Sequence, residues 1–186
     1  MIYSTKQLLR KYKNYTAISR LEKAEKIFRI SQGVYSDEKS NIADIETFFL
    51  TYPNAVLSNE SAFLFYELSD YLPEKYTIVT PLKAHKVMSC IVYQGYMQNS
   101  LIKIGVKKVK TDFGYIKIFD LERMLIELFR LKTKFSYEYY KEVVGNYRKL
   151  AAEGKIDFLK ISRYCRQIPR GESIEKTIGE VILWKV

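Results

Sequence analysis

The chain has 186 residues, of which 47% are hydrophobic, and a formal net charge of +10. This length and composition are typical of a folded protein with one sizeable domain, or with a small module and a medium domain, and they argue against disorder. No apolar run approaches the ~20 residues that cross a bilayer, and the polar start lacks the core of a signal peptide, so we expect no membrane association and a cytoplasmic protein.

The positive charge is concentrated at the N-terminus. Residues 1–30 carry eight basic and two acidic side chains, a net charge of +6, whereas all the remaining residues together carry only +4. Concentrated basic charge favours a polyanionic partner, through phosphate neutralisation and the release of counterions. A solvated basic helix without any partner has the same charge pattern, so charge alone leaves both interpretations open.

The first thirty residues predict two short helices separated by a brief turn. Ser4 begins a Ser-x-x-Gln sequence that predicts a capping box, and Asn14 or Thr16 can cap the second helix. One side of the second helix is apolar at helical spacing. The other side carries hydroxyls and cations, at Thr16, Ser19, Arg20 and Lys23. These residue types contact phosphates and base edges in DNA complexes.

The segment "IFRISQGVYSD", residues 27–37, predicts a two-stranded ribbon behind the second helix. Apolar and polar residues alternate before Gly33, and a second short β-prone run, Val34-Tyr35-Ser36, follows it. A helix, a turn, a second helix and a ribbon follow one another in the order of a winged helix-turn-helix. The polar stretch 36–41 is the predicted boundary, which divides the chain into a DNA-binding module over 1–40 and a second domain over 41–186.

The rest of the sequence predicts a second domain with mixed secondary structure. One helix ends at Pro53, and Ser58 is the predicted N-cap of another, in which buried apolar residues are expected at Ala62, Phe63, Phe65, Tyr66 and Leu68. The segments "KYTIVTP", "SCIVY", "LIKIGVKKV" and "YIKIFD" read as strands, and the chain reads as helical from Asp120 onward. We therefore expect an α+β fold, whose second domain combines a small antiparallel sheet with a helical C-terminal half.

The sequence offers little catalytic chemistry. It contains no Gly-rich phosphate loop and no G-x-S-x-G elbow, and His85 is its one histidine. The two cysteines, Cys90 and Cys165, lie far apart and are expected to be buried thiols. We predict no metal site, no cofactor and no enzymatic activity.

Three further patterns have both a functional and a structural interpretation. Asp120 and Glu122 are candidate metal ligands, but acidic residues at a helix start are also explained by capping and by the helix dipole. "EGK" at 153–155 has the acidic-x-lysine pattern of many nucleases, yet it lies in a predicted turn. Four tyrosines provide either stacking surfaces for nucleic acid or core packing, and their helical spacing favours the core. They are Tyr137, Tyr139, Tyr140 and Tyr147.

Three blocks, in this order and at this spacing, resemble the AbiEi antitoxin family of bacterial abortive-infection toxin–antitoxin systems. They are "SRLEKAEKIFRISQGVYSD" (19–37), "YPNAVLSNESAFLFYELSDYLP" (52–73) and "IFDLERMLIELF" (118–129). The resemblance implies an N-terminal winged helix-turn-helix that binds inverted repeats in promoter DNA and represses its own operon. It also implies a C-terminal domain that counters a nucleotidyltransferase-type toxin, without a stable complex between the two proteins in the best-known branch.

Two departures from the family modify these expectations. Family members usually carry an extra helix before the one that starts at Ser4, so the resemblance implies a module that lacks its first helix. The tip of the wing is less basic than in the family, because Ser31 and Gln32 occupy it. The tip should therefore form hydrogen bonds with sugar or phosphate and attract phosphates less.

The DNA-binding hypothesis assigns roles to eight residues. Thr16, Ser19, Arg20 and Lys23 are expected in or beside the major groove, whereas Lys13, Arg29, Ser31 and Gln32 are expected at the DNA backbone. One alternative is a protein-interaction module whose degenerate helix-turn-helix does not bind DNA. A weaker alternative is a metal-dependent nuclease that uses Asp120 and Glu122. The sequence assigns no residues to the countering of the toxin.

Overall fold

The computed structural model describes residues 2–31, 33–37, 45–111 and 114–183 and has an α+β fold. The chain divides into two compact units. The first unit comprises Met1–Asn54 and Lys108–Lys117, and the second comprises Ala55–Lys107 and Ile118–Val186. The predicted domain boundary at 36–41 lies largely outside the described residues. Among the helices that the structure describes, none is both long enough and apolar enough to cross a membrane.

The first unit contains a small antiparallel sheet and three short helices. Its elements are β1 (Ile2–Ser4), α1 (Thr5–Tyr12), α2 (Tyr15–Lys23), β2 (Phe28–Ser31), β3 (Val34–Ser36) and α3 (Ile45–Thr51). The strand order is β1-β3-β2, so the strand that precedes both helices pairs with the last strand. In the register, Ile2 and Phe28 both lie opposite Ser36.

The core of the first unit is formed by one apolar residue from each of the first two helices and by one residue just before β2. Leu8 of α1, Ile18 of α2 and Ile27, just before β2, are all buried in one cluster. Half-buried apolar side chains pack around this cluster, namely Tyr3, Leu9, Tyr12, Leu21 and Tyr35. The helix predicted before Pro53 is confirmed as α3, which ends at Thr51.

The second unit is built around a mixed sheet and most of the helices. The elements of this part of the chain are β4 (Val56–Leu57), α4 (Asn59–Phe65), β5 (Tyr76–Pro81), β6 (Val92–Met97), β7 (Val106–Thr111), β8 (Gly114–Phe119), α5 (Leu121–Arg130), a 3-10 turn (Lys132–Lys134), α6 (Tyr137–Ala152), α7 (Phe158–Cys165) and α8 (Gly171–Ile182). The strand order is β6-β5-β4-β8-β7. The residues 108–117 at the end of the β7–β8 hairpin belong to the first unit.

The larger sheet is mixed, which corrects the prediction of an antiparallel sheet in the second domain. β4 is antiparallel to β5 but parallel to β8, and β5 is parallel to β6. Parallel neighbours need long connections and not tight turns. Here the chain between β4 and β8 includes α4 and three other strands, so the pairing is not visible in the local sequence pattern.

Two predicted strands have different limits in the structure. "LIKIGVKKV" becomes a strand only from Val106, because residues 101–105 form turns. The Arg123 guanidinium explains this, since Nη1 donates to the carbonyls of Leu101 at 3.2 Å and Ile104 at 3.5 Å. "SCIVY" becomes β6, which starts at Val92 and continues past the predicted end to Met97.

Helix α4 starts where predicted, but two details differ. Ser58 occupies the N-cap position without a capping hydrogen bond from its side chain. Phe65 was expected in the core, yet 42% of it is exposed, because α4 ends there and the ring packs edge-on against Tyr66 at the surface. Ala62 and Phe63 are buried, as predicted.

Helix α5 lies at the centre of the second unit, and every residue from Glu122 to Leu128 is buried. It contacts α4, α7 and α8. The fully buried Arg123 pairs with Glu127 at 2.7 Å. Gly105, at φ +73°, passes so close that a Cβ there would lie 2.5 Å from the Cβ of Arg123. A buried charge of this kind needs a partner, and Glu127 provides it.

The cysteine and tyrosine predictions are confirmed in part. Cys165 is buried, and burial raises the pKa of its thiol to about 11. Cys90 is exposed, so the prediction of a buried thiol is wrong there, because the residue lies in the connection between β5 and β6. Tyr147 is fully buried and donates its hydroxyl to the carbonyl of Leu121. Tyr140 is also buried, whereas Tyr137 is exposed.

Candidate nucleic-acid interface

Helix α1 is fixed at its start by the predicted capping box. The backbone N–H of Ser4 donates to Oε1 of Gln7 at 2.6 Å, and the N–H of Gln7 donates to Oγ of Ser4 at 3.2 Å. These bonds satisfy two N–H groups that the helix itself leaves unpaired. Leu8 then points into the core, so α1 holds the following turn in place.

The turn between α1 and α2 consists of Lys13 and Asn14. Lys13 adopts the left-handed conformation, with φ 64° and ψ −18°, and its N–H donates to the carbonyl of Leu9 at 2.9 Å. Asn14 caps α2, since its Oδ1 accepts from the N–H of Ala17 at 2.7 Å. Of the two caps that the sequence allowed, the structure uses Asn14. Both the Lys13 and the Asn14 side chains are exposed.

Helix α2 presents a polar face opposite its buried side. Ile18 is 2% exposed and anchors the helix in the core. The four residues predicted for the major groove are all exposed on the described surface of α2, namely Thr16, Ser19, Arg20 and Lys23. Within the described ranges, neither Arg20 nor Lys23 forms an ion pair. The face therefore combines hydroxyl donors with two cations that no described carboxylate neutralises.

The predicted ribbon is present as β2 and β3. Arg29 is exposed and lies opposite Tyr35, and the register shifts between Arg29 and Ser31. Ser31 is the last residue of β2, and Gln32 lies outside the described residues. Gly33 is at φ +80°, a conformation that favours glycine. Its carbonyl accepts from both the N–H and the Oγ1 of Thr5, at 2.8 and 3.1 Å, so the ribbon is attached to the start of α1.

One exposed aromatic residue of this surface was not among the predicted contacts. Tyr15 is the first residue of α2, immediately after the cap Asn14, and 69% of it is exposed. The N-terminal residues of a recognition helix are those that contact base edges. Tyr15 lies directly after a predicted cap, and this position in the sequence could have identified it as a candidate contact.

The two candidate metal ligands have a structural role. Asp120 is the N-cap of α5 and accepts from the N–H of Arg123 at 2.8 Å. The Lys160 ammonium lies 3.1 Å from Oδ2 of Asp120 and 2.8 Å from Oε2 of Glu122. Tyr164 donates to Oδ2 of Asp120 at 2.8 Å. The two carboxylates thus join α5 to α7 through an ammonium and a phenol.

The electrostatics of this cluster agree with that role. Partial burial opposes the charge of Lys160, but hydrogen bonds to Glu122 and Asp120 outweigh it and raise the pKa of the ammonium. Burial, and then the hydrogen bond to Asp120, raises the pKa of Tyr164 to about 12. Both groups therefore stay protonated and hold the carboxylates. Among the described residues there is no group of three or more His, Cys, Asp or Glu side chains that could hold a metal ion.

The acidic-x-lysine segment is also explained locally. Glu153 caps the C-terminus of α6, Gly154 is at φ +69°, and Lys155 forms an exposed ion pair with Glu153 at 2.7 Å. The predicted turn is confirmed.

Comparison with known proteins adds a fold but no family. No protein-family model matches the chain, and no curated protein matches it. A crystal structure of the RV2827C protein from Mycobacterium tuberculosis is similar in fold, with a TM-score of 0.51 and 12% sequence identity over 100% of this chain and 78% of that one. At this identity, the likeness shows the α+β fold alone.

Proposed function

We propose that the first unit is a winged helix-turn-helix that binds double-stranded DNA, and that the protein is a repressor of the antitoxin type. The observation that carries this proposal is the exposed polar face of α2, which presents Thr16, Ser19, Arg20 and Lys23 above the buried Ile18. The proposal places the protein in the cytoplasm and includes no catalytic step, cofactor or metal.

The order and pairing of the elements support a winged module. β1 precedes α1 and α2, β2 and β3 follow them, and the sheet order is β1-β3-β2. In this arrangement α2 is the recognition helix and the β2–β3 ribbon is the wing. The bonds from Thr5 to the Gly33 carbonyl hold the wing at α1. In the proposal, Arg29 and Lys13 contact the DNA backbone, together with Ser31 and Gln32.

The antitoxin part of the proposal rests on the resemblance to the AbiEi family. In that reading the operator is an inverted repeat in the promoter of the protein's own operon. The second unit then counters a nucleotidyltransferase-type toxin, whether by direct binding or by functional antagonism.

A gel-shift titration with the duplex immediately upstream of the protein's own coding sequence tests the DNA-binding proposal. We expect retardation at low salt that weakens as salt rises. Arg20→Ala should cost about 1–3 kcal/mol of binding free energy and relax specificity at one base pair. Lys86→Ala, at an exposed lysine of the second unit, is the matched control and should bind normally. If the wild-type protein does not retard this duplex at low salt, the proposal fails.

A protein-interaction module is the second candidate function. Several large apolar side chains of the second unit are exposed on β6 and on the connection that precedes it, namely Leu82, Met88, Tyr93 and Tyr96. Large apolar side chains that stay exposed are candidates for interaction surfaces. Two results together would favour this candidate over DNA binding. The wild-type protein would protect cells against a co-expressed toxin, and it would not retard the upstream duplex.

A further inference from the structure

The β7–β8 hairpin carries a group of cations that the described structure does not neutralise. Lys108 and Lys110 are exposed on β7, which is the edge strand of the larger sheet, and Lys117 is half-buried on β8. None of the three forms an ion pair with a described carboxylate. Lys107, by comparison, is engaged, since its ammonium lies 4.7 Å from the centre of the Tyr66 ring.

Two of these lysines repel each other. The pKa of Lys117 is lowered, first by burial and then by the charge of Lys108. The hydrogen bond of the Lys117 ammonium goes to a neutral amide oxygen, Oδ1 of Asn54, at 3.4 Å. Like charges on neighbouring strands are unfavourable. An anion bound near both lysines would offset that cost.

The hairpin end belongs to the same compact unit as the helix-turn-helix. Residues 108–117 group with residues 1–54 and not with the rest of the larger sheet. The Lys117–Asn54 hydrogen bond is one of the connections between these two parts of the unit. The cations of the hairpin are therefore part of the unit that carries α2.

Protection of a sheet edge is the competing explanation for such lysines. Edge strands often carry lysine, which prevents pairing with another chain. This explains Lys108 and Lys110 on β7. It does not explain Lys117, because β8 is an inner strand that lies between β4 and β7. Tyr115 on the same inner strand is 61% exposed, and tyrosine hydroxyls are common donors to phosphate.

We propose that the β7–β8 hairpin is a second DNA-backbone contact, in which Lys108, Lys110 and Lys117, together with the hydroxyl of Tyr115, bind phosphates that flank the base pairs at α2. This inference rests on the proposed DNA-binding function and extends it to a stretch of chain more than fifty residues beyond α3. The partner is duplex DNA, and the contact is independent of base sequence.

The test is the salt dependence of binding to the upstream duplex, measured with the full chain and with K108Q/K110Q. Each phosphate contact contributes a slope of about −0.9 in log K against log salt. The slope of the K108Q/K110Q variant should therefore be less steep by about 1.8. The factor by which its affinity falls between ~50 and ~200 mM salt should be about tenfold smaller than for the wild type. Its thermal midpoint should not fall, since the repulsion between Lys108 and Lys117 is removed. K108R/K110R keeps the charges and should keep the slope.

K83Q/K86Q is the matched control, because it removes two exposed charges from the second unit, and it should leave the slope unchanged. Four outcomes would overturn the inference. The first is an equal loss of slope in both glutamine variants, and the second is an unchanged slope in K108Q/K110Q. The third is aggregation of K108Q/K110Q with an unchanged slope. The fourth is a loss of affinity for single-stranded RNA of the same length without a loss for the duplex. If wild-type binding depends on Arg20 but not on the hairpin, only this inference fails; if the wild type does not bind the duplex, the proposed function fails too.

Discussion

At the level of single residues, Lys13 combines an unfavourable backbone conformation with an exposed charge. Its φ of 64° lies in the left-handed region, where glycine and asparagine are favoured and other residues are strained. A cation at the C-terminus of α1 is favoured by the helix dipole. However, Arg10 and Lys11 in the last turn of α1 also interact favourably with this dipole. In the proposed complex with DNA, a contact between Lys13 and a phosphate is an additional reason for a lysine at position 13.

Lys13→Gly should separate stability from binding. Glycine removes the charge and relieves the left-handed strain, so the free energy of unfolding should stay constant or rise by up to about 1 kcal/mol. DNA affinity should fall equally for all sequences, with a loss of about 0.9 from the salt slope. Urea unfolding and salt-dependent gel shifts measure the two effects. Unchanged affinity and slope would remove Lys13 from the interface.

Most caps were predictable from the local sequence, whereas exposure was not. Ser4, Asn14 (with Thr16 as the alternative) and Asp120 were identified in this way, because a cap bonds only to residues two or three positions away. Ser58 was also predicted as a cap, but its side chain forms no capping bond. The exposure of Cys90 and Phe65 depends on where elements end and on which distant segments cover them. Neither is encoded in the neighbouring residues.

At the level of elements, the α7–α8 junction depends on Gly171. A Cβ at this position would overlap the backbone carbonyl of Cys165. Arg170, the preceding residue, is already in the left-handed conformation at φ 60°. The close approach lets α8 begin directly beside the end of α7, and both helices contact α5.

Gly171→Ala should lower the free energy of unfolding by about 1–3 kcal/mol or more, because the backbone at the end of α7 has to move. Gly179→Ala is the control in the same helix, since a Cβ there meets nothing within 4 Å. It should raise stability by about 0.5–1 kcal/mol, through the better helix propensity of alanine. Urea denaturation measures both, and equal effects of the two substitutions would contradict the packing argument.

The connection between α5 and α7 should weaken in alkali. The pKa of Tyr164 rises from about 10 to about 12 on folding, so its contribution to stability is complete below pH 10 and disappears as the pH rises through 12. Tyr164→Phe should cost about 1 kcal/mol at pH 8, through the lost hydrogen bond to Asp120. The difference from wild type should shrink between pH 10 and 12.

Unfolding titrations at pH 8 and near pH 11.5 measure this difference. Tyr137→Phe is the control, because this ring is 71% exposed, and it should match the wild type at both pH values. A difference for Tyr164→Phe that stays constant with pH would contradict the assigned role of the phenol.

Local periodicity predicted the helices well, and non-local contacts decided the parts that it did not. α1, α2 and the four helices after Asp120 follow from apolar spacing. Residues 101–105 also have a strand-like pattern, but the Arg123 guanidinium, about twenty residues away, binds two of their carbonyls and keeps them in turns. The parallel pairing of β5 with β6 likewise arises from contacts that the sequence does not display.

At the level of the whole molecule, the candidate DNA face and the exposed apolar side chains on β6 and the connection before it belong to different compact units. On the proposed functions, Arg20→Ala should therefore derepress a promoter reporter and still protect cells against a co-expressed nucleotidyltransferase-type toxin. Tyr93→Ser should do the reverse, since 68% of Tyr93 is exposed on the second unit. Reporter expression and cell survival measure the two effects. Loss of both functions in either variant, with a normal thermal midpoint, would contradict the separation.

The first unit is built from two separate stretches of chain, and this affects the order in which it can be completed during synthesis. A ribosome adds about 5–20 residues per second, so residue 117 is added roughly 3–13 s after residue 54. Helix α2 emerges early, but its unit is complete only after Lys108–Lys117 has been translated. A message truncated before that point yields a polypeptide that contains α2 and lacks part of the unit that supports it. The proposed repression is therefore expected to require translation through residue 117, well beyond the last residue of α3.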